Sequence, residues 1–238
     1  MSWNLWWKGL AAGDRNGGPV RLATLLHQST QSGFDEQRSF QHYAQWVQAE
    51  GFDSGPTLRQ VVDLTRLGLP LTAAVRATHR SHNGSAGIGP AHRSIALLRL
   101  ATGADLIELA IREAQLSHFD PIAGSCSAAS LIICQMLGEN VRLNEIKATV
   151  EQLFPDLNLT PEQLSAGGFA PAVLAAAWKF LSNANHFDDA LGPALQFAGP
   201  ANYCPVLVGL WAACRFGNVP ESWLDHKMCP SAPDSVEL

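Results

Sequence analysis

Apolar residues return every three or four positions along almost the whole chain, and alternation with period two is nearly absent. That spacing gives a helix one face to bury and gives a strand no consistent side. The chain is therefore expected to be all-α: a compact multi-helix bundle in a single domain over residues 1–229. About a dozen helices with short links and no linker-like composition fit that architecture. No fixed-period repeat is present, which leaves a helical solenoid as the weaker alternative. A chain that is 47% hydrophobic and only 16% charged has ample material for a core.

Charge and cysteine content narrow the function classes. The formal charge of −5 and the absence of any Lys/Arg block argue against nucleic acid as the main partner. Cys126, Cys134, Cys204, Cys214 and Cys229 form no Cys-x-x-Cys pair and read as buried thiols of a reducing compartment. The start, Met1 to Lys8, has neither a basic region nor a continuous apolar run, and no stretch approaches the ~20 apolar residues of a membrane span. A cytoplasmic protein with no membrane partner is expected.

Local signals place the helices. Gly9 to Gly13 ends an apolar helix before a turn rich in glycine. Asp35 is a predicted N-cap, and Pro70 is expected in the first turn of its helix. Ser81 to Pro90 is a glycine-rich loop leading into a predicted helix from Ala91 to Leu100, whose free N–H groups would make an anion site. Asp105 with Glu108 reads as a capping pair. Ser117 to Pro121 is a sharp junction before a small-residue helix, and Thr160-Pro161-Glu162-Gln163 has every mark of a helix start. Gly192-Pro193 should kink or split the helix from Phe187 to Phe197. Trp3, Trp6 and Trp7 read as core and cap residues. The tail 230–238 is polar and proline-containing, and is expected to be disordered.

Several of these words, in order, resemble the ADP-ribosylglycohydrolase family. Gly13-Asp14-Arg15-Asn16-Gly17-Gly18-Pro19-Val20 resembles its opening "GDALGAPVE". Tyr43-Ala44-Gln45-Trp46 resembles its Tyr-x-x-Trp pattern, and Asn83-Gly84-Ser85-Ala86 its "NGAAMR" loop. Ser117-His118-Phe119-Asp120-Pro121 is similar to its "THxxP" junction. Phe187 to Gly217 and Pro220-Glu221-Ser222-Trp223-Leu224 are similar to its C-terminal words. The likeness runs over about residues 9–225 and implies the family's all-α fold and an ADP-ribosyl glycoside hydrolase ancestry.

The departures fall on chemistry. The resemblance implies a dinuclear magnesium site, built from an N-terminal Thr-Asp-Asp-Thr word and the aspartates of a C-terminal Gly-Asp-Thr-Asp-Thr word. Here Pro19-Val20 runs straight into Arg21-Leu22-Ala23-Thr24, and the later word is Gly199-Pro200-Ala201-Asn202-Tyr203. Magnesium requires oxygen ligands, chiefly carboxylates, so no metal site and no cofactor is expected. The arginine of "NGAAMR" has no evident counterpart at Gly87-Ile88-Gly89.

What remains is a set of candidate polar groups. His118 with Asp120, or Asp14, could act as acid or base, since a carboxylate can fix an imidazole tautomer; His118 also reads as a helix-cap histidine. Asn16, Asn83, Gly84, Ser85, Gly87, Gly89 and Asn202 are candidate ligand contacts. His79, His82 and His92 suggest a metal cluster only weakly, because no two share one helix face at i,i+4. Cys204 is expected to be a buried thiol. The expected function is a family member that has lost metal-assisted hydrolysis and binds an ADP-ribose-like or other phosphorylated small molecule, or a protein. Metal-independent chemistry in the same cleft and residual hydrolysis are the alternatives.

Overall fold

The computed structural model describes residues 2–201 and 203–224, and every long regular element among them is a helix. The helices are α1 (Trp3–Gly13), α2 (Gly18–Ser29), α3 (Glu36–Ala49), α4 (Pro56–Arg66), α5 (Leu71–Ser81) and α6 (Gly89–Arg93). They continue as α7 (Gly103–Ala114), α8 (Pro121–Gly138), α9 (Leu143–Leu153), α10 (Ala170–Ser182), α11 (Phe187–Ala198) and α12 (Cys204–Phe216). The only extended pairing among the described residues is an isolated antiparallel bridge between Gly87 and Phe169. Asn202 and the tail, including Cys229 and the expected disordered stretch 230–238, lie outside the described residues.

Small side chains decide the centre. The Ala, Ser, Gly and Cys content of α8 lets α7, α10 and α12 pack close around it. By length and composition α8 could cross a membrane, with mean hydropathy 1.4 over 18 residues, yet 67% of that window is buried in the bundle. Trp211 of α12 is fully buried and donates its indole N–H to Ser130 of α8 at 3.2 Å. Cys126, Cys134, Cys204 and Cys214 are free, buried thiols.

The glycines of the opening word serve a helix crossing. A Cβ added at Gly9 would stand 2.6 Å from the carbonyl oxygen of Gly209, and one at Gly13 would stand 2.0 Å from that of Pro205. α1 therefore lies backbone against backbone on α12. Trp7 is buried and donates to Thr24 at 3.4 Å, while Trp3 stacks on His27 with ring centroids 4.2 Å apart.

Several local expectations give way to tertiary context. The expected helix from Ala91 to Leu100 is instead the five-residue α6 followed by a 3-10 turn over Ser94–Arg99. Thr102, not Asp105, is the N-cap of α7, and Asp105 sits within its first turn. Pro70 is the N-cap of α5 and stands just outside the helix. No helix follows Thr160. That segment has only Leu164 to pack, and Asn158 accepts the Thr160 N–H at 2.9 Å, a local bond that competes with a helix. α11 runs unbroken through Pro193, because Phe187, Ala190, Leu191, Ala194, Leu195 and Ala198 anchor one buried face on both sides of the proline.

Candidate functional site

A cavity of about 350 Å³ opens where several loops and helix starts meet. Its walls are the start of α2 at Pro19 and Leu22, the Asp53–Leu58 segment entering α4, and the Gly87–Gly89 turn entering α6. The remaining wall comes from His92, Arg93, His118, Gly168 and Tyr203. Two walls are set by close approaches that tolerate no side chain. A Cβ at Gly18 would stand 2.4 Å from the Asp53 carbonyl oxygen, and one at Gly168 would stand 2.9 Å from the Tyr203 ring.

Behind the cavity lies a buried polar chain. Arg93 is 1% exposed and Glu113 is not exposed at all; the guanidinium Nε donates to Glu113 Oε1 at 2.6 Å. Tyr43 donates its phenol to the same oxygen at 2.8 Å, and its ring lies 5.0 Å from the Arg93 guanidinium carbon. Burial alone would pull the arginine down, but the Glu113 carboxylate more than offsets it and leaves the cation firmly charged. Arg93 Nη2 then donates to Ser117 Oγ at 2.8 Å, and that oxygen lies 2.7 Å from His118 Nδ1.

His118 is only 5% exposed, and it lines the cavity. Its Nε2 has no hydrogen-bond partner among the described residues and stands 3.0 Å from where a Cβ at Gly87 would be. Burial first, then the charges of Arg93 and His82, hold its pKa down to about 3. His92 also borders the cavity and donates Nε2–H to the Tyr203 carbonyl at 2.9 Å; burial, chiefly, holds it down to about 4. Both imidazoles are neutral at physiological pH and offer N–H groups without charge.

The other candidates are placed differently. Asp120 caps α8, its Oδ1 accepting the Ile122 N–H at 3.1 Å, and the partner of His118 is the Ser117 hydroxyl rather than this carboxylate. Asp14 caps the entry to α2: Oδ1 accepts from Asn16 and Gly17 at 3.1 and 2.7 Å, and Oδ2 accepts from Val20 at 2.8 Å. Asn16 meets Asp14 through its backbone and does not line the cavity. Asn83 and Gly84 form a turn with φ of 52° and 127°, and neither lines the cavity. Ser85 is buried between His79 Nδ1 at 2.9 Å and the Phe119 N–H at 3.2 Å, so it ties the loop to the α7–α8 junction. Gly87 and Gly89 do reach the cavity. The expected anion site of free N–H groups loses its helix, because α6 is too short and the Ile88 N–H is bonded to the Gly168 carbonyl at 3.2 Å. Cys204 is buried at the first position of α12, which pushes its thiol up to about 12. Asn202 lies outside the described residues.

Sequence reasoning missed Arg93, Glu113 and Tyr43 as a unit, along with the Asp53–Leu58 wall. The signal for Arg93 was present: read from Gly89 rather than Gly84, Gly89-Pro90-Ala91-His92-Arg93 ends in arginine as the "NGAAMR" word does.

Among the described residues, the donor set around the cavity does not fit a pair of magnesium ions. Among the described residues, no three His, Cys, Asp or Glu side chains are grouped to hold a metal ion. Asp53 is the one carboxylate lining the cavity, and the Asp14 oxygens are committed to backbone N–H groups. The remaining polar side chains around it include Arg93 and two imidazoles, where a hard cation needs oxygen ligands.

One solved structure, an ADP-ribosylglycohydrolase-related protein complex, matches the fold with a TM-score of 0.75 at 22% sequence identity, over 92% of this chain and 89% of that one. At such identity the likeness speaks for the fold. No curated protein gives a significant sequence match. The profile of the ADP-ribosylglycohydrolase family matches residues 18–228. With the all-α architecture, the ordered sequence words and that match, the chain belongs to the ADP-ribosylglycohydrolase family.

Proposed function

We propose that this protein is a family member that does not use dinuclear-magnesium hydrolysis and instead binds an ADP-ribose-like or other phosphorylated small molecule in the cavity. The observation that carries the reading is the balance of groups at the Gly87–Gly89 wall. His118 Nε2 faces it with no partner among the described residues, and Arg93 Nη1 lies 3.9 Å from where a Cβ at Gly89 would be. The start of α4, which also borders the cavity, has no side-chain cap, and such a helix end favours anions. An acceptor-rich ligand group suits these donors; a cation pair does not.

Metal-independent catalysis through His118 and Asp120 is less favoured. The two side chains serve different partners, and an imidazole held to a pKa of about 3 is a weak base.

Thermal unfolding with ADP-ribose, with and without magnesium and chelator, tests the reading. A ligand at ~100 times its dissociation constant adds about 2.7 kcal/mol. A shift that ignores chelator supports non-hydrolytic binding. Chelator-sensitive release of ADP-ribose from an ADP-ribosylated protein would overturn it in favour of residual hydrolysis.

A further inference from the structure

We propose that Ser117 is a positioning residue that couples the buried Arg93–Glu113 ion pair to His118 and fixes this imidazole as an Nε2–H donor into the cavity. The inference deepens the ligand-binding reading of the same cavity and rests on it for its consequence, but the proton arrangement itself can be tested without any ligand.

The hydrogens around Ser117 fix the arrangement. A serine hydroxyl has one proton to give and two lone pairs to receive with. Arg93 Nη2 has only protons to give, so at 2.8 Å it must donate to Ser117 Oγ. Ser117 is completely buried, and its hydroxyl proton needs an acceptor. His118 Nδ1, at 2.7 Å, is the remaining partner of that oxygen. If Nδ1 carried the proton instead, two donors would point at one oxygen and the hydroxyl proton would have no acceptor in a site without water access. Nδ1 therefore accepts, and the ring proton sits on Nε2.

That nitrogen faces the Gly87 wall and has no acceptor among the described residues. The charged and titratable groups near the ring are Arg93 of α6, Glu113 of α7 behind it and His82 at the end of α5, with Asp53 and His92 lining the same cavity. None of them is bonded to Nε2. Glu113 holds Arg93, Arg93 orders Ser117, and Ser117 orders the ring, so at this wall Nε2 selects a ligand atom that accepts and repels one that donates. Oxygen acceptors of phosphoryl, carboxylate or carbonyl groups meet that condition; ammonium and amide nitrogens do not.

The experiment is nitrogen NMR on the full chain labelled with 15N in its histidine rings, with His118 assigned by the signals lost in His118→Asn. The expected wild-type spectrum shows a protonated Nε2 and an unprotonated, hydrogen-bonded Nδ1. In Ser117→Ala the Nδ1 resonance moves toward the position of an unbonded nitrogen, and in Ser117→Thr it returns. With ADP-ribose as the probe, affinity falls about tenfold in Ser117→Ala, the worth of one misplaced hydrogen bond, and stays within about twofold in Ser117→Thr. A protonated Nδ1 in the wild type overturns the proposal, as does an unmoved Nδ1 in Ser117→Ala. Should Ser117→Ala not fold, the wild-type spectrum decides alone. If ADP-ribose binds neither protein, the ligand reading falls while the ring signals still settle the role of Ser117.

Discussion

Arg93 Nε stands 2.6 Å from Glu113 Oε1, with both side chains sealed from water. Such a pair is a poor source of net stability when intact and a large liability when halved. Glu113→Ala is therefore expected to cost about 3–5 kcal/mol in urea unfolding, because it strands a buried guanidinium and also takes the acceptor of Tyr43. Arg93→Met combined with Glu113→Leu should cost less than either single change. A Glu113→Ala protein within about 1 kcal/mol of wild type would show that the pair is not structural.

Asp14 holds three backbone N–H groups at the entry to α2. Asp14→Ala should lower stability by about 1–2 kcal/mol, because three backbone N–H groups lose their charged acceptor. ADP-ribose affinity per folded molecule should change little. Equilibrium unfolding and a binding titration on the same sample separate the two effects. Lost binding with unchanged stability would place the carboxylate in the ligand site instead.

Gly87 has no positive φ, so an alanine there is tolerated by the backbone but would crowd His118 Nε2 at 3.0 Å. Gly87→Ala should keep the wild-type melting temperature without ligand and weaken ADP-ribose by about tenfold or more, since it blocks a donor. Calorimetric titration reads this directly. Wild-type affinity in this variant would mean that the ligand does not use that wall.

Acid should unfold the protein earlier than its modest charge suggests. His92 is held to about 4 and His118 to about 3, chiefly by burial, against 6.5 for a free histidine. As pH falls below 6.5 the unfolded chain takes up these protons first, so stability is full above that value and declines toward pH 4. Each histidine contributes about 1.4 kcal/mol per pH unit within the window. Urea unfolding at several pH values between about 7 and 5 should show this slope, and His118→Asn should flatten it by about one proton. An unchanged slope would mean that the imidazole titrates normally.

What the sequence revealed, and what it hid, follows from where each interaction lives. Asp35 caps the helix it precedes, as expected, because an N-cap bond spans two or three residues and needs nothing else; the same short-range bond at Asp120 was passed over for a catalytic reading. Tyr43 and Trp46 are buried as a helical stripe demands. Thr160-Pro161-Glu162-Gln163 misleads because a start signal creates no helix without an apolar face to bury. The word ending in Arg93 was readable, but its role was not. That role is set by Glu113 and Ser117, 20 and 24 residues further on, and a charged residue does not announce distant partners. His118 was legible as important, but its partner was misread: Asp120 is the more obvious carboxylate in the sequence, and the adjacent Ser117 is the one in contact.

The glycine contact between α1 and α12 also bears on how the molecule is made. Gly9 and its neighbour Gly209 lie 200 residues apart in the sequence. Trp3 and Trp7 find His27 and Thr24 on the very next helix, but the glycine face of α1 has no surface to meet until α12 is in place. Closing that crossing is a long-range step, and such pairings form slowly because loop-closure entropy is spent before the contact rewards it.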